Sequence, residues 1–161
     1  MNDFPRTLKF ATVWLLIGAA LFLAVQWWQA QQQRTRFSMR AGVVELQRGP
    51  DGHYHWPGRI DGQAVDFLVD TGATGSALPL ALARRLGLPE VGQIRTQTAG
   101  GEVTGTLVLA DVALDGGVQV QHLRMAALPG LGERPLLGMD VLGRLHWQQR
   151  QGVLRIEPGT P

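Results

Sequence analysis

Residues Phe10 to Trp28 read FATVWLLIGAALFLAVQWW, 19 positions without a charge and with only Thr12 and Gln26 clearly polar. A helix rises about 1.5 Å per residue, so this stretch would reach roughly 28 Å, close to the ~30 Å hydrocarbon core of a bilayer. Trp27 and Trp28 stand where an interfacial aromatic belt would lie. The run is apolar on all sides rather than striped, which argues against a helix packed on a soluble core. A cleaved signal peptide is the rival reading. Its exit, VQWWQAQQQ, has bulky Trp28 two residues before Ala30 and lacks a small-x-small cleavage site. The expectation is an uncleaved single-pass anchor over 10–28 with the lipid bilayer as partner, after a flank at 1–9 and before a polar, aperiodic stalk at 29–40. Basic residues flank both ends (Arg6 and Lys9; Arg34, Arg36 and Arg40), so the charge rule does not set the orientation. A cytoplasmic flank with the rest exported is the simpler arrangement, which places the folded part outside the cytoplasm at the inner (cell) membrane.

An anchor of that size leaves about 120 residues, 41–158, for folding. That suffices for one modest core and not for two lobes with separate cores. Glycine is abundant at 21 of 161 positions and there are 9 prolines, which with intervening Val and Leu runs predicts short strands joined by tight turns. Val43-Val44-Glu45-Leu46 reads as a strand, Gly49-Pro50-Asp51-Gly52 as a turn, and His53–Trp56 as a further strand. Asp61-Gly62 is a strong two-residue turn signal between Gly58–Ile60 and Ala64–Val69. Pro79–Leu86 reads as a short helix stopped by Gly87. A Gly-tipped hairpin follows over 94–109, then a meander through 111–114 and 118–125, a helical turn at 140–143, and terminal strands at 145–148 and 153–156. The expected fold class is all-β with one or two short helices.

Composition excludes several functions. The formal net charge is +2, and 14 of the 15 basic residues are Arg, scattered singly or in pairs with no polybasic stripe, so no nucleic-acid partner is expected. With no cysteine there is no disulfide, thiolate metal site or thiol nucleophile. His53 and His55 alternate on one strand and could hold a metal, but no third ligand lies near in sequence, so a partly exposed polar face is the reading adopted. Ser76 lacks a Gly-x-Ser-x-Gly setting, and Gly100-Gly101 and Gly116-Gly117 precede neither a helix nor a Lys, so they read as turns. Asp66, Asp111 and Asp115 read as strand-face or turn carboxylates, and Asp140 as a cap for the turn after Gly138. No metal or other cofactor is expected.

The sharpest feature is Asp70. The apolar run Phe67-Leu68-Val69 ends on a carboxylate followed by Thr71, Gly72 and Ala73. A carboxylate beside an apolar strand is costly unless it is paired or functional, and Gly72 lets the backbone bend there. An Asx turn ending a strand would leave the same local trace. The wider sequence carries more: FLVDTGATGSALPLALARRLGL, a Gly-tipped hairpin, then PLLGMDVLGRL.

In that order, over roughly residues 58–156, these elements resemble retropepsin-like (retroviral-type) aspartic proteases and their bacterial membrane-anchored relatives. The resemblance implies a closed β barrel that dimerises through interleaved termini and the Asp70 loops. It makes Asp70 the catalytic residue and Thr71, Gly72 and Ala73 the active-site loop. Ala99, Gly100 and Gly101 become the tip of a flap over an extended protein or peptide substrate, and Leu137 and Gly138 structural neighbours of the site. Only one Asp-Thr-Gly occurs, so a working site needs Asp70 from two chains of a homodimer. Two departures stand out: Thr74-Gly75-Ser76 and a longer helix separate the triplet from the flap more widely, and Met139 follows Gly138 where viral enzymes commonly carry a bracing Arg. The expected function is a membrane-anchored aspartic endopeptidase; the alternative is a non-catalytic module of the same fold that dimerises or binds a peptide strand.

Overall fold

The strand pattern follows the turn chemistry. In the computed structural model, which describes residues 6–32, 37–40, 42–98 and 100–157, Asp61 (φ 46°) and Gly62 (φ 80°) both sit in the left-handed region. They close a hairpin between β3 (Tyr54–Ile60) and β4 (Gln63–Val69), in register from Tyr54 opposite Val69 to Ile60 opposite Gln63. Before it run β1 (Phe37–Arg40) and β2 (Val43–Gln47). After it come β5 (Ala77–Pro79), α2 (Leu80–Leu86), β6 (Glu90–Thr98), β7 (Gly101–Leu114), β8 (Val118–Leu128), β9 (Leu136–Leu137), α3 (Met139–Leu142), β10 (His146–Arg150) and β11 (Val153–Glu157). Gly87 ends α2 in the left-handed conformation (φ 66°), its N–H returning to Ala83 and Arg84 carbonyls.

Six strands close into a barrel in the order β3-β4-β9-β5-β8-β7, and a β7–β3 pairing joins the ends. Closure needs a glycine: a Cβ on Gly58 would lie 2.7 Å from the Ala113 carbonyl oxygen across that seam. The strand β6 pairs on the outer side of β7. A separate four-stranded sheet, β1-β2-β11-β10, comes wholly from one chain. Both edges of β11 are taken by strands of its own chain.

The core is a single cluster that includes Val44, Leu46, Trp56, Phe67, Met125 and Ile156. Trp56 is fully buried, and its indole N–H donates to the Asp115 carbonyl at 2.7 Å, satisfying the polar end of a large apolar group.

Residues Met1–Arg34 and Thr35–Pro161 are two compact units. The first contains the helix α1 (Arg6–Gln32). Among the described residues, no helix is long and apolar enough to cross a membrane. The expected spanning helix over 10–28 is corrected to that extent; α1 includes the apolar stretch 13–26. Its side chains are exposed throughout, including Trp14, Leu15, Leu16, Phe22 and Leu23. The strand β1 lies in the stretch read as a stalk, paired antiparallel to β2 from Phe37 opposite Leu46 to Arg40 opposite Val43.

Candidate active site

Asp70 sits where β4 leaves the barrel. Its backbone N–H donates to the Leu137 carbonyl at 3.0 Å, so the loop begins hydrogen-bonded to β9, the parallel neighbour of β4. The carboxylate is half-buried and turns back on its own loop: Gly72 N–H donates to Asp70 Oδ1 at 2.9 Å, and Ala73 N–H donates to the Asp70 carbonyl at 3.3 Å. Among the described residues Oδ2 has no hydrogen-bond partner. A carboxylate tied by one oxygen and open at the other can take a water or a second acid. Thr71 and Gly72 are exposed beside it.

The loop is held from below by the chain around Gly138. Met139 N–H donates to the Ala73 carbonyl (2.9 Å) and Asp140 N–H to the Thr74 carbonyl (3.1 Å). Leu137 is fully buried, and Gly138 approaches Gly75 so closely that a Cβ there would lie 2.5 Å from the Gly75 carbonyl carbon. Sequence reasoning placed Leu137 and Gly138 near the site, and the structure puts them against the Asp70 loop.

What it missed is a side-chain pair spanning 64 positions. Ser76 is 2% exposed; its hydroxyl donates to Asp140 Oδ1 at 2.7 Å and its N–H to Asp140 Oδ2 at 2.9 Å. Gly138 N–H in turn donates to Ser76 Oγ at 3.1 Å. The reading of Asp140 as a cap is corrected: α3 has Gly138 as its cap residue and no side-chain capping bond. Of the α3 backbone N–H groups the Asp140 carboxylate accepts only that of adjacent Val141 (3.0 Å, to Oδ1), and it otherwise serves Ser76. A signal existed, since a buried Ser and an Asp after apolar-apolar-Gly both need partners, but spacing could not pair them.

The flap residues are divided. Ala99 lies outside the described residues. Gly100 and Gly101 form the turn between β6 and β7, where Gly100 N–H donates to Thr98 Oγ (3.2 Å) and the Thr98 hydroxyl donates to the Gly101 carbonyl (2.9 Å). Arg95 and Glu102 pair across the hairpin at 3.0 Å, both exposed.

A second polar cluster lies where sequence expected a partly exposed face. His55 is only 7% exposed, with Nδ1 3.1 Å from Asp66 Oδ2 and Nε2 2.7 Å from Asp51 Oδ2. Arg134 approaches the same two oxygens at 3.6–3.7 Å. Burial pushes the Asp51 carboxyl up, but the His53 backbone N–H and the His55 ring outweigh it and hold Asp51 below its usual range. Asp66 is thus a strand-face residue with a buried partner rather than a solvated one. Among the described residues, no group of three His, Cys, Asp or Glu side chains could hold a metal ion.

Comparisons with known proteins agree with this geometry. A family model described as "gag-polyprotein putative aspartyl protease" matches residues 56–144, from β3 through α3. An uncharacterized protein encoded in the cobV 5′ region of Sinorhizobium sp is 30% identical over 118 residues, covering 70% of this chain and 51% of that protein. An uncharacterized protein of Rickettsia prowazekii (strain Madrid E) is 30% identical over 113 residues, covering 68% of this chain and 48% of that one. The chain thus spans about half the length of the curated relatives it matches. Among solved structures, a retropepsin-like aspartic protease from Rickettsia conorii superposes with a TM-score of 0.58 at 23% identity, covering 75% of this chain and 94% of that one. That likeness carries the fold: a closed six-strand barrel of retropepsin type. Since the matched region exceeds half of the sequence and contains both the Asp70 loop and the Gly138 segment, the chain belongs to the gag-polyprotein aspartyl protease family.

Proposed function

We propose that this chain is an aspartic endopeptidase whose site is completed by Asp70 from each of two copies. One observation carries the reading. Asp70 is fixed at its backbone by β9 and at Oδ1 by Gly72, with Oδ2 left open among the described residues. A single Asp-Thr-Gly occurs in this sequence and supplies half a dyad, so the reading takes the other half from a second copy.

Two carboxylates brought within about 3 Å cannot both ionise cheaply, so the pair shares a proton. The ionised member takes a proton from a bound water, which attacks the scissile carbonyl. The protonated member donates a hydrogen bond to the carbonyl oxygen as charge develops there. In this reading Thr71 ties the two loops across the interface and Gly72 offers its backbone to substrate. The turn at 99–101 closes over an extended protein or peptide, which binds by strand-like main-chain hydrogen bonds. The homodimer meets at the Asp70 loops.

The test is cleavage of a peptide library by purified protein between acidic and neutral pH. Asp70→Asn is expected to lower turnover by about 10²- to 10⁴-fold, the range for losing a positioned acid–base group. Full activity in that variant would reject the proposal. A peptide-like transition-state inhibitor should bind the native chain and not Asp70→Asn, which separates an enzyme from a non-catalytic module of the same fold.

Attachment to the cell membrane through α1, with the 41–158 domain on the extracytoplasmic side, belongs to the same proposal. It is supported by the uncharged run at 10–28 and by the exposed apolar side chains at 13–25. Carbonate extraction of membranes, with a topology reporter fused after Pro161, tests it; release into the soluble fraction would count against it.

A further inference from the structure

We propose that Ser76 and Asp140 are positioning residues: a buried hydroxyl–carboxylate clasp that fixes the Asp70 loop in its catalytic geometry. The inference rests on Asp70 being the catalytic carboxylate and adds the device that aims it.

The loop from Asp70 to Ser76 is joined to 137–141 along its whole length. Three backbone bonds do part of this, from Asp70 N–H to Leu137, Met139 N–H to Ala73, and Asp140 N–H to Thr74. Each of these fixes one point on the chain. The side-chain clasp does something different. Asp140 uses both oxygens on one residue, taking the Ser76 hydroxyl at 2.7 Å and its N–H at 2.9 Å, and so fixes Ser76 in direction as well as place. The hydroxyl then receives Gly138 N–H at 3.1 Å, which ties the clasp to the crossing of Gly138 over Gly75.

Donor and acceptor types leave little freedom. An ionised carboxylate only accepts, and Asp140 is met by three donors: the Ser76 hydroxyl, Ser76 N–H and Val141 N–H. An amide in its place would turn an NH2 toward one of those donors. Ser76 is 2% exposed, so no water replaces a lost partner without rearrangement. The position after Gly138, where the retroviral enzymes this sequence resembles commonly carry a bracing Arg, is Met139. In this chain the side chain that braces this segment is that of Asp140, the next residue.

The test compares Ser76→Ala, Asp140→Asn and their double variant with the native full-length chain, each rate normalised to the folded fraction by circular dichroism. Misplacing a reacting group by about 1 Å can cost 10²-fold, so each single variant is expected to lose about 10²-fold in kcat with KM little changed. The double variant should be no worse than the weaker single one, since both remove the same clasp. A loosened loop also lets the two Asp70 carboxylates separate, so the pH profile of kcat should change shape as well as height. Amide exchange at Gly72, Ala73 and Asp140 should quicken while that of β7 and β8 stays slow.

If Asp70→Asn abolishes cleavage but Ser76→Ala and Asp140→Asn keep kcat within about twofold with the same pH profile, the clasp is overturned and the catalytic reading stands. If Asp70→Asn remains active, the underlying reading fails instead. Single variants that do not fold at the assay temperature would make the pair a folding element, which also overturns the proposal.

Discussion

Two polar clusters hold the same pair of neighbouring strands, one before and one after the place where they run side by side. β4 and β9 are parallel, with Leu68 opposite Leu136 and Val69 opposite Leu137. Before that contact, Asp66 of β4 meets Arg134 ahead of β9, with His55 and Asp51 completing the group. After it, Ser76 beyond β4 meets Asp140 beyond β9. The first cluster is ionic and partly wet: the Arg134 and Asp51 side chains are each 40% exposed, and the Arg134 contacts are long. The second joins a nearly inaccessible hydroxyl to a carboxylate through bonds of 2.7–2.9 Å. Screening and competition from water weaken exposed ion pairs, whereas a buried, fully matched group of hydrogen bonds resists both. The cluster beside Asp70 is of the kind that fixes geometry. The other contributes stability that varies with conditions.

The sharpest way to break this comparison is to force the close crossing apart. A methyl group on Gly138 would lie 2.5 Å from the Gly75 carbonyl carbon and 2.9 Å from Ser76 N, and backbone cannot step aside as a flexible side chain can. Gly138→Ala is expected to destabilise the domain by about 3 kcal/mol, at the upper end of ordinary overpacking, as read from urea unfolding. A loss below about 1 kcal/mol would mean that the crossing is not tightly specified.

Next comes His55→Leu. The ring is buried between two carboxylates, and Asp66 Oδ1 is already buried without a partner. Removing the ring leaves Asp66 Oδ2 facing an apolar group, at a cost of about 1–3 kcal/mol. If the comparison holds, His55→Leu lowers stability but leaves the rate per folded molecule unchanged, unlike Ser76→Ala. A matching fall in that rate would show that both clusters aim Asp70.

These contrasts bear on what a sequence makes legible. The Asp61-Gly62 hairpin, the Gly87 stop and the strand leading into Asp70 follow from local chemistry, because turn residues and apolar runs act within a few positions of themselves. The strand β5 was missed: it is three residues long, lies inside an apolar stretch with no alternation, and is defined by parallel pairing with 126–128 far along the chain. The flap strand β6 extends four residues earlier than the hairpin signal because its solvent-facing residues carry little hydrophobic pattern. His55 was read as part of a partly exposed face because alternation reports which side of a strand a residue is on, not what covers it. Ser76 and Asp140, 64 positions apart, acquire a partner only once β4 and β9 lie side by side.

Arg134→Met tests the wet cluster more gently. Its two contacts, at 3.6 and 3.7 Å with a 40% exposed side chain, are expected to contribute between zero and about 1 kcal/mol. The native chain should lose that increment on going from low salt to about 1 M, where the screening length falls to about 3 Å, and the variant should not. Equal salt sensitivity in both proteins would remove Arg134 from the cluster's energetics.

The smallest effect concerns pH. Burial raises the Asp51 carboxyl, but the His53 N–H (3.2 Å) and the His55 ring (2.7 Å) more than offset it, so the folded-state value lies below the ordinary 3.8. A group depressed on folding contributes stability that is fully present above its unfolded value and disappears as pH falls through its folded one. The contribution is therefore intact at neutral pH and is lost below about pH 4, where the unfolded chain takes up the proton first. Unfolding midpoints in urea at about pH 5 and about pH 3 should fall further for the native chain than for Asp51→Asn, which has no carboxylate to protonate there. Equal falls in the two proteins would place the acid sensitivity in other carboxylates and leave His55 held chiefly by Asp66.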